Sequence, residues 1–205
     1  MSYIHNAMEK IHNSTKDKVL KLLLSNKREE FTIRAIAQNI KIDYKTVYLV
    51  TKQLIKTEVV NSKRAGQTVL CSINHKKFNS DIFRAETIRK DEVLVNKNIH
   101  VLYNNIKEEI QEPFFILLLF GSYASKQQRK GSDIDLMLIT DSESINKKIK
   151  GIVSGTPLEI HLSDFKIEEF LSMLKTTDFN VGKEAFYNNV ILFGIEDYYK
   201  MIENA

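Results

Sequence analysis

The sequence predicts an α+β protein in which a small helical domain with a β-hairpin precedes a mixed β-sheet flanked by helices. Residues 14–57 show the apolar spacing of three short helices, and residues 58–73 read as a hairpin. From Pro113 onward, apolar strands alternate with amphipathic helices. Between these regions, residues 76–110 keep a helical pattern that no Gly or Pro interrupts.

The composition is that of an ordinary globular protein, with 43% hydrophobic and 27% charged residues. The longest apolar run, Phe114 to Phe120, is far shorter than the roughly 20 residues of a membrane span. The N-terminus lacks the apolar stretch of a signal peptide, so we expect a cytoplasmic protein with no membrane partner. Cys71 is the single cysteine, which excludes an internal disulfide framework and a cysteine-based zinc site.

The net charge of +4 is unevenly distributed. Residues 1–75 contain 13 Lys and Arg against 6 Asp and Glu, whereas residues 76–205 contain 17 against 20. The first part therefore carries +7 and the second −3. A basic region beside a mildly acidic one indicates nucleic-acid binding for the first and different work for the second.

The N-terminal pattern is that of a helix-turn-helix followed by a hairpin. Ser14 is the predicted N-cap of the first helix, and Thr32 and Asp43 begin the next two. The turn between the last two helices is short, as in a helix-turn-helix. The predicted hairpin strands, Val59 to Lys63 and Thr68 to Ile73, flank a turn in which Gly66 supplies a positive φ.

This order of elements resembles winged-helix regulators, although no diagnostic motif accompanies it. We therefore predict a winged helix-turn-helix DNA-binding domain at residues 1–75. Its third helix would enter the major groove, and its wing would reach phosphate or the minor groove. Such sites are often read by dimers, so a homodimer is expected. The alternative is a winged helix used for protein contacts. The predicted DNA-binding residues are Tyr44, Lys45, Thr46, Tyr48, Lys52, Lys63 and Arg64.

The chemistry is indicated by residues 114–140, FFILLLFGSYASKQQRKGSDIDLMLIT. An apolar strand runs into Gly121 and Ser122, where a sharp turn and free N–H groups suit phosphate oxygens. Ten residues later, Asp133 and Asp135 stand two apart at the start of a second strand, so their side chains share one face. Paired carboxylates of this kind are stable beside a divalent cation, and Mg²⁺ suits such a site because it also accepts substrate phosphates.

These residues resemble the nucleotidyltransferase superfamily of the DNA polymerase β type, particularly its minimal members. The family signature is a strand, Gly-Ser, about ten residues and then Asp-x-Asp, and Ser132 also fits the usual Ser-Asp-x-Asp-Leu. The resemblance implies a nucleotidyltransferase domain at residues 105–205, a helical connector at 76–104, and Mg²⁺ with ATP or another nucleoside triphosphate. Gly121, Ser122 and Ser132 would bind the nucleotide.

The family adds a third carboxylate from a later strand, and Glu159 in the alternating run Pro157 to Leu162 is the candidate. By resemblance, Glu159 would join Asp133 and Asp135 as a metal ligand or would deprotonate the acceptor. Asp164 is the competing choice, although it is also placed to cap the next helix. His161 shares the predicted face with Glu159, but we interpret it as a structural histidine.

The sequence departs from the family where many relatives carry Arg three residues after the Ser, because Ser125 stands there. Cations near this position are Lys126, Arg129 and Lys130. The resemblance implies transfer of a nucleoside monophosphate, most often AMP from ATP, to a hydroxyl group. Minimal members often act as antitoxins that adenylylate a partner toxin of the HEPN ribonuclease type, and a winged helix would suit one that represses its own operon.

A small-molecule acceptor, as in aminoglycoside nucleotidyltransferases, fits the same class. Two alternatives come from other classes of function. One is a transcriptional regulator whose second domain binds nucleotide without turnover. The other is a dimeric scaffold in which the domains serve assembly.

Overall fold

A computed structural model of the chain describes residues 2–111, 114–129 and 131–203, with side chains from Ser14 onward. The chain divides into two compact units, residues 1–85 and 86–205, and the boundary falls within one helix. The predicted connector, 76–104, is thus divided between the units. No helix among the described residues is long and apolar enough to cross a membrane.

The first unit contains three helices and a small antiparallel sheet with strand order β1-β3-β2. Thr32 and Asp43 accept hydrogen bonds from the backbone N–H groups of Ala35 and Thr46, which confirms both predicted N-caps. Its elements are α1 (Ser2–Ser25), β1 (Phe31–Thr32), α2 (Ile33–Ile40), α3 (Tyr44–Lys56), β2 (Val60–Ala65) and β3 (Thr68–Ile73).

Two features of the first unit differ from the sequence prediction. Ser14 is not an N-cap, because α1 already begins at Ser2 and contains Ser14. The twelve preceding residues contain no Gly or Pro that would interrupt a helix. The short strand β1 was not predicted; it pairs Phe31 with Cys71 of β3. The predicted hairpin is confirmed, with Gly66 in its turn at a φ of 60°.

The helical segment 76–110 forms two helices rather than one. Asn96 separates them and accepts hydrogen bonds from the backbone N–H groups of Asn98 and Ile99, so it caps the second helix. The first helix, α4 (Ser80–Val93), contains the boundary between the units, and the second is α5 (Lys97–Glu109). Ile99, Leu102 and Ile106 of α5 are buried in the core of the second unit.

The second unit is built on a four-stranded mixed sheet with strand order β6-β5-β4-β7. Strand β4 pairs antiparallel with β5 and β7, whereas β5 and β6 are parallel. This arrangement confirms an α+β sheet flanked by helices. The elements are β4 (Ile116–Phe120), α6 (Gly121–Ala124), β5 (Ile134–Ile139), α7 (Glu143–Ser154), β6 (Ile160–Phe165), α8 (Ile167–Lys175), α9 (Val181–Tyr187), β7 (Asn189–Phe193) and α10 (Ile195–Glu203).

A buried polar network ties α4, β7 and α10 together within the second unit. Glu86 and Arg89 form a 2.5 Å ion pair in which their side chains are 0% and 5% exposed. Arg89 also donates to the backbone carbonyl of Asn189, and the hydroxyl of Tyr199 donates to Glu86 at 2.8 Å. Burial is the main reason that the pKa of Tyr199 lies well above its ordinary value. Each buried charge therefore has hydrogen-bonded partners.

Candidate active site

The turn from β4 into α6 brings backbone close to a carboxylate. Gly121 has a φ of 66°, a conformation that residues with a Cβ rarely adopt. A Cβ built on Gly121 would collide with the side-chain carboxylate of Asp135. Position 121 therefore requires glycine for two reasons, the backbone conformation and the approach of Asp135. Ser122, the next residue, is half-buried.

The backbone carbonyl groups of Gly121 and Ser122 accept hydrogen bonds from later residues of the chain. The Gly121 carbonyl accepts a hydrogen bond from the side-chain amide of Asn188 at 3.0 Å and another from the Ser125 hydroxyl at 3.1 Å. The Ser122 carbonyl accepts from the backbone N–H of Gln127 at 2.9 Å. Asn188 was not predicted as a site residue, because its contact with Gly121 spans 67 positions in sequence.

Asp133 and Asp135 lie at the start of β5 beside this turn. Asp135 is the register partner of Phe120, the residue before Gly121. The two side chains are 38% and 29% exposed, so a ligand can reach both. Desolvation raises the pKa of Asp135, the nearby His161 lowers it, and repulsion from Asp133 raises it, with a net upward shift. Burial is thus the main cost of ionising Asp135, and the nearby Asp133 carboxylate adds a smaller one that a bound cation would offset.

His161 lies against both aspartates, which the sequence did not predict. It is the register partner of Asp135 across the parallel β5–β6 pair. Its Nε2 is 3.7 Å from an Asp133 oxygen, and its Nδ1 is 3.7 Å from an Asp135 oxygen. The side chain is 70% exposed. The sequence interpretation treats His161 as a structural histidine; the structure places its ring at the surface, where it faces the carboxylate pair.

Glu159 comes immediately before β6 and is exposed. Its backbone carbonyl accepts a hydrogen bond from the N–H of Ile134, between the two aspartates in sequence. This bond places Glu159 at the same end of the sheet as Asp133. Among the described residues, however, Glu159 is not one of the charges that shift the pKa of Asp135.

Asp164 lies on the other face of β6, because side chains alternate along a strand and His161 is three positions away. Its carboxylate accepts hydrogen bonds from Lys150 at 2.8 Å and Asn146 at 2.7 Å, both on α7. These bonds lower the pKa of Asp164. Asp164 is therefore a structural carboxylate, and it does not cap α8, whose N-cap is Lys166.

Of the three basic residues in the loop between α6 and β5 that could bind phosphate, one is already in an ion pair. Lys126 forms an ion pair with Glu92 at 3.1 Å. Ser132 accepts a hydrogen bond from the backbone N–H of Arg129 at 2.8 Å, so its hydroxyl shapes the loop. The Arg129 side chain is exposed. Lys130 lies outside the described residues.

The chemistry of the donor set fits a hard divalent cation. Asp133 and Asp135 offer carboxylate oxygens, which Mg²⁺ and Mn²⁺ prefer, and their mutual repulsion favours a cation between them. Within residues 2–111, 114–129 and 131–203, no three His, Cys, Asp or Glu side chains form a complete metal centre. The two aspartates with waters and substrate phosphates would supply the coordination that Mg²⁺ needs.

The candidate site is open rather than enclosed. A cavity of about 600 Å³ lies at the opposite end of the same strands, lined by Ile116, Ile139 and Met201 among others. It contains none of the predicted site residues. The candidate active site lies at the end of the sheet with the Gly121 turn and the aspartate pair, because the N–H groups of a turn and paired carboxylates suit phosphate chemistry.

The predicted DNA-binding residues occupy the surface of the first unit. Tyr44 is 52% exposed and stacks on Tyr48 with ring centroids 6.0 Å apart, and the Lys52 ammonium lies 5.1 Å from the Tyr48 ring. Thr46 is half-buried, and its N–H is bound by Asp43. The remaining three predicted residues, Lys45, Lys63 and Arg64, are exposed.

Comparison with known protein families agrees with the resemblance for the second unit. Residues 104–197 match the family model described as "Polymerase beta, Nucleotidyltransferase". This segment carries Gly121, Asp133, Asp135 and His161, and the match supports a nucleotidyltransferase domain with transferase activity. No curated protein and no solved structure matched the chain.

Proposed function

We propose that the second unit is a Mg²⁺-dependent nucleotidyltransferase that transfers AMP from ATP to a hydroxyl group of a protein partner. The observation that carries the proposal is the placement of Asp133 and Asp135 on one face, against His161, with Asp135 directly beside Gly121. The family match to residues 104–197 supports the reaction class. Adenylyl specificity, the protein acceptor and the metal are the proposed refinements.

Each residue has a role in this reaction. Asp133 and Asp135 hold Mg²⁺, which when bound neutralises charge that develops on the phosphates. The N–H groups and hydroxyl at Ser122, with Gly121 allowing close approach, bind phosphate oxygens. The Ser132 hydroxyl, which accepts a hydrogen bond from the backbone N–H of Arg129, supports the loop before Asp133, where we propose that Ser132 borders the nucleotide. Glu159 receives the proton of the acceptor hydroxyl.

The transfer itself is a single displacement. The acceptor oxygen forms a bond to the α-phosphorus, and the bond from that phosphorus to the bridging oxygen breaks. Pyrophosphate leaves with the electron pair of that bond, and the acceptor proton goes to the Glu159 carboxylate. No external oxidant or reductant is needed.

The experiment follows label from α-³²P-ATP into protein and small-molecule fractions of a lysate from the source organism. Purified chain with Mg²⁺ should label an acceptor, and the Asp133→Asn/Asp135→Asn and Glu159→Gln variants should not. Asp164→Asn is the matched control, because its carboxylate lies on the other face of β6. Label from γ-³²P-ATP should stay in solution; its transfer would indicate a kinase and contradict the proposal.

A regulator that binds nucleotide without turnover is the second candidate. This alternative is favoured by the absence of a third metal ligand beside the two aspartates, since no three metal-binding side chains come together among the described residues. Under this alternative, ATP binds with Mg²⁺, Glu159→Gln changes nothing, and no acceptor is labelled. Binding measured alongside transfer separates the two functions.

We also propose that the first unit binds DNA and that the chain represses its own operon, as a homodimer. The exposed Tyr44, Lys45 and Lys52 face of α3 and the exposed Lys63 and Arg64 of the hairpin support this proposal, as does the +7 charge of residues 1–75. Replacing Lys45, Lys52 or Lys63 by Ala should reduce the salt dependence of duplex binding by about one unit for each lost phosphate contact. Lys97→Ala in α5 is the control.

A toxin of the HEPN ribonuclease type is the proposed protein acceptor, on the basis of the resemblance to minimal nucleotidyltransferases. Co-expression with a candidate toxin should give a labelled toxin after incubation with α-³²P-ATP. A labelled small molecule with unlabelled toxin would point instead to an enzyme that modifies small hydroxylated substrates.

A further inference from the structure

We propose that His161 is a nitrogen ligand of the divalent cation held by Asp133 and Asp135, so that the site prefers Mn²⁺ to Mg²⁺. This inference rests on the proposed function. It begins from the parallel register of β5 and β6, which sets His161 beside Asp135 on one face of the sheet. On that face, the His161 ring contacts both the Asp133 and the Asp135 carboxylate.

The three side chains lie close together but do not yet converge on one point. Two atoms that are each about 2.1 Å from a metal are about 3.0 Å apart when adjacent and about 4.2 Å apart when opposite. In His161, Nε2 lies 3.7 Å from an Asp133 oxygen and Nδ1 lies 3.7 Å from an Asp135 oxygen, and 3.7 Å falls between these two values. Because only one ring nitrogen can bind the ion, the ring must turn until that nitrogen faces both carboxylates. The three side chains do not yet form a complete centre, so we expect the cation to draw them together.

Packing does not hold the ring away from the carboxylates. The His161 side chain is 70% exposed on an edge strand of the sheet, so it can rotate toward a bound ion. A histidine kept only for packing would be enclosed by apolar neighbours. A histidine kept only as a counter-charge would contact the aspartates but would leave a bound cation with oxygen ligands alone.

The donor set determines which metal is favoured. Two carboxylates alone suit Mg²⁺, whereas imidazole is a ligand that Mg²⁺ rarely accepts and that later divalent ions accept readily. Mn²⁺ accepts both kinds of ligand. Replacing His161 by Asp would give a purely oxygen donor set, which should shift the preference back toward Mg²⁺.

The experiment uses Mn²⁺ itself as the probe on the full chain, without nucleotide. Mn²⁺ binding is titrated by electron paramagnetic resonance, and pulsed spectra are examined for coupling to a ligand nitrogen. Chain grown with ¹⁵N-histidine should show the corresponding ¹⁵N coupling. His161→Ala should remove the nitrogen coupling and weaken Mn²⁺ binding at least about tenfold, because losing a group that only orients a ligand already costs 10–100-fold. His100→Ala, an exposed histidine on α5, is the control and should change neither.

The possible results distinguish a failure of the His161 ligand from a failure of the proposed nucleotidyltransferase function. Mn²⁺ bound by the native chain without nitrogen coupling, and lost in Asp133→Asn/Asp135→Asn, overturns the role of His161 but leaves the metal site intact. Absence of any Mn²⁺ or Mg²⁺ binding by the native chain overturns both. His161→Asp supports the inference if the ratio of Mn²⁺ to Mg²⁺ affinity falls, and contradicts it if that ratio is unchanged.

Discussion

Two groups of charged side chains in the second unit have opposite designs. In the network of Glu86, Arg89 and Tyr199, every charge is buried and paired. In the group of Asp133, Asp135 and His161, like charges lie side by side and the side chains are 29–70% exposed. The first group is complete as it stands, whereas the second gains from an added cation. An accessible group of perturbed carboxylates is a candidate functional site, whereas a buried and fully paired network is explained by its role in the fold.

The largest expected effect comes from breaking the buried network. Arg89→Met should lower the free energy of unfolding by about 3–5 kcal/mol, because it leaves Glu86 buried and uncompensated. Urea denaturation of the full chain measures the change. The double variant Glu86→Gln/Arg89→Met should recover part of the loss. A loss below about 1 kcal/mol would show that water reaches Glu86 and would weaken the contrast.

A smaller loss is expected when one hydrogen bond of that network is removed. Tyr199→Phe deletes the hydroxyl that donates to Glu86 and should cost about 1–3 kcal/mol, since the carboxylate is left short of a donor. Thermal unfolding with matched calorimetry tests this. Tyr103→Phe, a half-buried tyrosine of α5 whose ring stacks on Phe193, is the comparison variant. Equal effects of the two changes would argue against a special role for the network.

Asp164 allows the same contrast to be tested through pH. Its pKa is lowered, first by the bond from Lys150 and then by that from Asn146. Because the folded pKa lies below the ordinary value of 3.8, the stabilisation is present above that value and is lost as the pH falls through the folded pKa. Asp164→Asn should cost about 1 kcal/mol at pH 6 and progressively less as the pH falls below 3.8. A cost that does not depend on pH would show that the ionised carboxylate is not what stabilises the fold.

The smallest effect is expected at the incomplete site. Asp133→Asn should raise the free energy of unfolding by about 0.5 kcal/mol at pH 8 in metal-free buffer, because it removes the repulsion with Asp135. Added Mn²⁺ should make the unsubstituted protein the more stable of the two, because the ion binds its folded state and not that of the variant. If Asp133→Asn clearly destabilises the protein without metal, the aspartate pair and His161 stabilise the fold in the same way as the buried network, and the contrast between the two groups fails.

The sequence predicted those features that depend on neighbours along the chain. Thr32 and Asp43 were identified because an N-cap acts within three residues, and the Gly121 turn and the aspartates because their motif is short. Ser14 was wrong because a good capping residue does not start a helix when the preceding residues are also helical. Local pattern was therefore sufficient for the caps and for the motif.

The remaining features depend on pairing between distant segments. The contact of His161 with Asp135 follows from the parallel register of β5 and β6, and that of Asn188 with Gly121 from the packing of α9 near β4. Strand β1 has two residues, too few to show a period. A register and a long-range hydrogen bond leave no mark in composition or spacing, so these parts of the site required coordinates.

The glycine at position 121 has a consequence for how this gene tolerates variation. All nineteen replacements add a Cβ, or more, where the Asp135 carboxylate lies, so a saturation library should lose function at this codon without exception. Gly66 shares the positive φ but has open space around it, so Asn and Asp, which adopt that conformation more readily than other residues, should survive there. At position 66 only the backbone conformation restricts the residue, whereas at position 121 the nearby Asp135 carboxylate restricts its size as well.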